Sequence, residues 1–138
     1  MPESTLSRFL FPEHRRHAIA RWHMGAQKDM AIERAVFQGM PMVIWQDIFG
    51  AWLPYAAVQK EKIARWKKLY LEFEETLNSS GSIPLIKTKC KDVYANFFPG
   101  KDCFILTLYN EAKIAVKGEL VDMKLLPGLN GEKRFVRD

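Results

Sequence analysis

The spacing of apolar residues changes from a helical period to a strand period near residue 80. From Ala57 to Asn78, apolar residues recur every three or four positions between charged ones, which predicts a long amphipathic helix at about 57–78. Beyond Gly81 the period becomes two. Strands are therefore predicted at 83–89, 93–98, 104–109 and 113–120, joined by tight turns, and a further strand or irregular edge at 125–137.

Upstream of the long helix, the pattern predicts two shorter helices, at 13–22 and 27–38, the second ended by Gly39. A nearly continuous apolar run follows, and it predicts a strand at about 41–46. Such a run is typical of a strand covered on both faces in a parallel sheet, so we expect neighbouring strands that this sequence does not supply. The later strands alternate as if in a separate sheet with one face in solvent. The prediction is a segment 1–78 and an antiparallel β domain 79–138, with 78–82 as the linker.

Composition and charge narrow the function classes. The 138 residues carry 21 Lys and Arg against 16 Asp and Glu, but these basic residues are dispersed, so we expect no nucleic-acid partner. No apolar run approaches the roughly 20 residues of a membrane helix, so we expect no membrane partner. No secretory signal follows Met1, although one could lie upstream of it, and localisation stays unassigned. Cys90 and Cys103 fall in neighbouring predicted strands, where a disulfide is sterically possible, but two buried free thiols are expected. Because they form no C-x-x-C unit, neither a redox nor a zinc role is assigned to them.

The run from Gly39 to Tyr55, Gly-Met-Pro-Met-Val-Ile-Trp-Gln-Asp-Ile-Phe-Gly-Ala-Trp-Leu-Pro-Tyr, resembles the eighth strand and following loop of (β/α)8-barrel glycoside hydrolases and related bacterial glycosidase-like proteins. The helix-strand-helix order and the Phe-x-x-Thr-Leu-Tyr-Asn stretch at 104–110 are similar to the C-terminal architecture of such enzymes. The resemblance implies an α+β chain, the C-terminal segment of a TIM barrel followed by a small antiparallel sheet or sandwich domain. It also implies two partners, a carbohydrate substrate and the missing N-terminal part of the barrel.

Candidate binding residues cluster after the predicted strand, where barrel enzymes carry their sites. A sugar site needs an aromatic platform for C–H faces and amide or carboxylate groups for hydroxyls. The candidates for substrate binding are Trp45, Gln46, Asp47, Phe49, Trp52 and Tyr55. The resemblance places Trp45 at the aromatic position that lines the sugar site. The alternative is that these aromatic residues only pack the loop against the helix.

Glycoside hydrolysis normally uses two carboxyl groups, and no convincing pair is present. Asp47 is the candidate catalytic residue, with substrate binding or helix capping as its alternatives, and Glu13 is a distant second. The resemblance implies that the main carboxylates lie upstream, so this chain alone is expected to be inactive although its parent is a glycosidase. His14 and His17 lack the other ligands of a metal set, so no metal and no cofactor are expected. Two alternatives stay open, a non-catalytic carbohydrate-binding or interaction module and a basic nucleic-acid-binding domain.

Overall fold

The fold is a mixed arrangement of short helices and two small sheets. The computed structural model describes residues 6–20, 26–44, 55–112 and 114–127. The helices are α1 (Ser7–Leu10), α2 (Ala26–Phe37), α3 (Ala57–Glu72) and α4 (Glu74–Leu77), with a 3-10 turn at Met123–Leu125. The strands are β1 (Ala18–Ala20), β2 (Met42–Ile44), β3 (Ile83–Ile86), β4 (Val93–Pro99) and β5 (Phe104–Asn110). The predicted α+β class is confirmed at this level.

The first two strands, which precede and follow α2 in the sequence, form a parallel pair. Ala18, Ile19 and Ala20 of β1 stand opposite Met42, Val43 and Ile44 of β2. The predicted helix at 13–22 is therefore wrong, because 18–20 is a strand and the described residues before it are irregular. Alanine favours helix, but three residues fix too few backbone hydrogen bonds to sustain one, and pairing with β2 decides the conformation.

The predicted strand near 41–46 is confirmed over Met42–Ile44, but its environment differs from the prediction. It has a parallel neighbour within this chain, β1, whereas none was expected. Coverage of both faces was predicted for a complete sheet with strands from outside this chain, and within this chain Val43 is 41% and Ile44 44% exposed, and Ile19 on β1 is 43% exposed. The described residues thus cover this pair of strands only in part.

The two longer helices bury the apolar faces that their sequences predict. Helix α2 buries Ile32 and Ala35, and α3 buries Trp66 and Tyr70. Trp66 donates its indole N–H to the carbonyl of Met40 at 2.9 Å, which ties α3 to the segment that enters β2. A polar atom on a buried aromatic ring thus has the partner that burial requires.

The predicted helix at 57–78 is confirmed as far as Glu72 and then bends. Phe73 has φ −117° and ψ 25°, and α4 begins at the next residue. The predicted stop of α2 is also confirmed, since Gly39 follows the helix with φ +62°. A Cβ atom on Gly39 would lie 2.9 Å from Cζ of Phe98, so both the backbone conformation and the close approach require glycine there.

The later strands form an antiparallel sheet in the order β3-β4-β5. One face packs on the helices, because Phe98 of β4 shares a core with Trp66, Tyr70 and Leu77. The other face is covered as well. Its core consists of Ala95, Phe97, Val121 and Leu126, flanked by Phe104 and Leu106. The expected solvent-facing side of this sheet was therefore wrong.

The strand predicted at 113–120 is also wrong in the described part of that range. These residues are irregular, and Val121 makes a single antiparallel bridge to Thr88. The range 125–137 lies mostly outside the described residues, so the edge predicted there stays a prediction.

Two buried polar contacts join the helices to the sheet. The carbonyl of Phe37, the last residue of α2, accepts hydrogen bonds from Nδ2 of Asn96 at 2.7 Å and from Oγ1 of Thr107 at 2.5 Å.

A further buried polar contact joins α1 to α4. Arg8 is 2% exposed and donates to the carbonyl of Leu77. Burial lowers the pKa of the Arg8 guanidinium below its usual value. The predicted boundary at 78/79 stays a prediction, but the parts on either side of it share one core.

Candidate functional site

The candidate site is the edge of the β1–β2 pair at which both strands end. Parallel strands place their carboxyl ends on one edge, and the helix after each strand begins there. Helix α2 begins at Ala26 after β1, and α3 begins at Ala57 after β2. The first turns of these helices, together with Tyr55 before α3, are the described part of this edge.

Most of the predicted sugar-binding residues lie outside the described residues. This applies to Trp45, Gln46, Asp47, Phe49 and Trp52, which all belong to 45–54. Their roles stay predictions. The structure describes the two ends of this segment, Ile44 at the end of β2 and Tyr55 before α3. Asp47 and Glu13 therefore cannot be paired by distance, and Glu13 is exposed.

Tyr55 is the one predicted binding residue in the described range, and its side chain is buried. It is 6% exposed and packs on Ile32, with Met42 and Ile63 around the pair. Nζ of Lys28, itself 4% exposed, lies 4.5 Å from the centre of the Tyr55 ring, a cation–π arrangement. The ring is thus covered by protein, as the packing alternative describes. Its role in substrate binding stays a prediction.

The hydroxyl of Tyr55 is a buried polar atom. Among the described residues no group forms a hydrogen bond with it. Burial raises the pKa of this phenol, because the charged form would lose its hydration. An unsatisfied buried hydroxyl costs free energy, so Tyr55 carries a hydrogen-bonding capacity that the described packing does not use.

A polar network fixes the first turns of α2 and α3 relative to each other. Oε1 of Gln59 accepts from the N–H of Ala56 at 3.1 Å, and Nε2 of Gln59 donates to Oδ2 of Asp29 at 3.0 Å. The other Asp29 oxygen accepts from Nζ of Lys62 at 3.0 Å. Gln59 therefore caps α3 and ties it to α2 at the same time.

These contacts shift the ionisation of both charged partners. The hydrogen bonds from Lys62 and then Gln59 lower the pKa of Asp29 below its usual value, and the bond to Asp29 raises the pKa of Lys62. Asp29 is thus held as a carboxylate with both oxygens occupied. Its two contacts hold the first turns of α2 and α3 together.

Sequence reasoning missed this network. Asp29, Gln59 and Lys62 look like ordinary polar positions of amphipathic helices, and their pairing depends on how α2 packs on α3. The available signal was local. Asp29 lies in the first turn of α2 and Gln59 at the third position of α3, and both are positions where side chains commonly satisfy free backbone N–H groups.

The remaining chemical candidates do not assemble a site in the described residues. His14 and His17 are exposed, and His23 lies outside the described ranges. No group of three His, Cys, Asp or Glu side chains is placed to hold a metal in the part of the chain that was searched. Cys90 and Cys103 are free, as predicted, but Cys103 is exposed and Cys90 half-buried, so their predicted burial was wrong. No described helix is long and apolar enough to cross a membrane.

Comparison with known proteins adds no constraint to these observations. No family model matches the chain, and neither the curated proteins nor the solved structures include a match.

Proposed function

We propose that this chain is the C-terminal part of a carbohydrate-active, glycoside hydrolase-like protein built on a (β/α)8 barrel. It contributes the last barrel strand, the sugar-binding loop at 45–54 and an accessory β domain. The main catalytic carboxylates belong to the missing N-terminal portion, so the chain alone is inactive. The reaction requires carboxyl groups and water, and no cofactor.

The observation that carries the proposal is the order β1-α2-β2-α3 with parallel strands. This is two successive strand-helix units, the repeat from which such barrels are built. The order differs from the sequence-based prediction, which had a helix in place of β1. Two neighbouring barrel strands, each followed by its helix, are what the last quarter of a barrel contributes.

The exposed apolar residues of the β1–β2 pair support a missing partner. Parallel sheets occur almost only with both faces covered, and two strands of three residues each are short for an independent sheet. Ile19, Val43 and Ile44 are each more than 40% exposed in the described structure. Further parallel strands from the N-terminal portion would cover them and add pairing at the open edges.

Within the proposed barrel, the loop after β2 faces the substrate. Trp45 provides the aromatic platform, Gln46 orients hydroxyls, and Asp47 either orients a hydroxyl or serves as one of two catalytic carboxyls. The network of Asp29, Gln59 and Lys62 fixes the end of this loop, because Gln59 holds the backbone at Ala56 directly after Tyr55.

The first test is the reading frame upstream of the Met1 codon. We expect it to encode further strand-helix units without a stop, and a stop codon or an unrelated sequence would contradict the proposal. The complete polypeptide is then assayed with a panel of aryl glycosides. Trp45→Ala should raise KM at least about tenfold, since a stacking aromatic contributes roughly 1.4 kcal/mol or more.

The matched control is Phe11→Ala, which removes an aromatic ring that is 49% exposed and remote in sequence from the loop. It should leave KM unchanged. Asp47→Asn separates the two roles of that residue, because a catalytic carboxyl lowers kcat by about 100-fold or more, whereas a hydroxyl-binding group raises KM. Activity that is indifferent to Trp45, Gln46 and Asp47 together would contradict the assignment of the loop.

A further inference from the structure

The first turn of α2 carries a lysine that is buried. Lys28 is 4% exposed, although a lysine near the start of an amphipathic helix normally extends its ammonium group into water. Its Nζ atom lies over the ring of Tyr55, 4.5 Å from the ring centre. Burial of both partners strengthens this contact, because less water screens the charge from the face of the ring.

The ring of Tyr55 lies against two side chains on one face of α2. Ile32 follows Lys28 by four residues, so the two side chains are neighbours on the helix surface. Ile32 is 1% exposed and forms a buried cluster with Tyr55. Tyr55 itself belongs to neither a helix nor a strand. Its contacts with α2 therefore decide where its ring lies.

The next residue of α2 holds the backbone at the same place. Oδ2 of Asp29 accepts from Nε2 of Gln59 at 3.0 Å, and Oε1 of Gln59 accepts from the N–H of Ala56 at 3.1 Å. One turn of α2 thus holds the side chain of Tyr55 and, through Gln59, the backbone that follows it. The segment 45–54 ends at this point, and its other end follows β2.

We propose that Lys28 is a positioning residue for the sugar-binding loop at 45–54 and that it acts through the ring of Tyr55. The inference rests on the proposed function for the identity of the loop, but the contact that carries it lies within the described residues. The ammonium group limits the positions that the ring can take. This restricts the end of the loop that carries Trp52, three residues before Tyr55, whereas Trp45 directly follows β2 and depends less on Lys28.

Limited proteolysis of the chain with chymotrypsin, which cleaves after aromatic residues, tests this role. Cleavage tracks the population of the locally open form. Lys28→Met keeps the apolar stem but removes the charge, and it should speed cleavage within 45–54 at least about fivefold. Lys28→Arg keeps a cation over the ring and should cleave like the unsubstituted chain. Lys68→Met removes the charge of an exposed lysine on α3 and should leave cleavage unchanged.

Substitution of Tyr55 separates the ring contact from every other contact of Lys28. Tyr55→Phe keeps the ring and should cleave like the unsubstituted chain, whereas Tyr55→Leu should match Lys28→Met. In the Tyr55→Leu background, Lys28→Met should add no further change. An additional increase in that background, equal cleavage of Lys28→Met and the unsubstituted chain, or faster cleavage throughout the chain would each overturn the proposal.

Kinetics of the complete polypeptide distinguish this inference from the proposed function. With an aryl glycoside that the polypeptide hydrolyses, Lys28→Met should raise KM about threefold or more and change kcat little, because the loop binds the sugar. Lys28→Arg should restore KM. If loop cleavage responds as expected but no glycoside is hydrolysed, the role of Lys28 at the loop stands and the proposed function fails. Hydrolysis with a KM or a loop cleavage that is indifferent to Lys28 would refute its positioning role alone.

Discussion

The carbonyl of Phe37 provides a quantitative test of whether helices and sheet form one cooperative unit. Two side chains donate to this one oxygen, Asn96 from β4 and Thr107 from β5. Oδ1 of Asn96 also accepts from the N–H of Leu85 at 2.9 Å, where the backbone has φ +50° and cannot continue regular pairing with β4. Asn96 is 0% exposed, so water cannot replace the lost contacts without rearrangement.

The expected free energies follow from counting the atoms that lose partners. Thr107→Val removes one donor and leaves Phe37 satisfied by Asn96, which should cost about 1 kcal/mol. Asn96→Ala removes two hydrogen bonds and leaves the N–H of Leu85 unsatisfied, which should cost about 3 kcal/mol. The double variant leaves the Phe37 carbonyl without either donor, so its cost should exceed the sum by roughly 1 to 2 kcal/mol.

Urea unfolding measures these differences, followed both by tryptophan fluorescence and by far-ultraviolet circular dichroism. The two signals should change together, because the shared core contains Trp66 from α3 and Phe98 from β4. Additivity of the two substitutions within about 0.5 kcal/mol would refute the shared-acceptor argument. Two separate unfolding transitions would refute the single unit.

Three further predictions concern single positions. Since hydrogen bonds from Lys62 and Gln59 lower the pKa of Asp29, its stabilising effect is present above the unfolded pKa and is lost as pH falls through the folded value. Thermal melts from about pH 5 to pH 2 should therefore fall more steeply for the natural protein than for Asp29→Asn. Gly39→Ala should destabilise by about 2 kcal/mol or more in urea, because φ is +62° and the new Cβ meets Phe98. Tyr55→Phe should raise the melting temperature, with a gain of about 1 kcal/mol, since it removes a buried hydroxyl that has no described partner.

Each of these predictions has a matched control. Asp102→Asn changes an exposed carboxyl and should keep the natural acid profile. Gly118→Ala alters a glycine with φ +117° and open space around it, so it tests backbone strain without the steric contact. Tyr70→Phe removes a hydroxyl that accepts from Asn78 at 2.9 Å and should destabilise. A lower melting temperature for Tyr55→Phe would mean that its hydroxyl has a partner.

The elements that sequence reasoning located well are those with long, regular patterns. The helix at 57–78 was predicted from six apolar positions, and only its break at Phe73 was missed, because no glycine or proline marks that residue. Three of the four later strands were placed within a few residues by their alternation, and the fourth, at 113–120, was predicted where the described residues are irregular. Strand β1 was missed because Ala18–Ala20 is too short to show a period and its conformation depends on β2, more than twenty residues away.

The candidate site was less accessible to sequence reasoning than the fold. The composition of the sequence predicted an aromatic and polar loop after a strand, but it did not predict the hydrogen bonds of Gln59 that hold the end of this loop. Gln59 and Asp29 are thirty residues apart, and only the packing of two helices brings them together. The coverage of the sheet was misjudged for a similar reason. Val121 and Leu126 lie in an irregular stretch without periodicity, and they nevertheless cover the second face.

The shared acceptor at Phe37 also bears on synthesis of the chain. Thr107 follows Phe37 by seventy residues, so at about 5 to 20 residues per second the ribosome needs roughly 4 to 14 s to make the second donor after the acceptor. For most of that interval the end of α2 lacks both donors and the helical core lacks Phe98, because Asn96 follows Phe37 by 59 residues. A nascent chain that has not yet exposed β4 and β5 would therefore present an unfinished apolar surface to chaperones, and released chains that end before β4 should be more sensitive to protease than the complete chain.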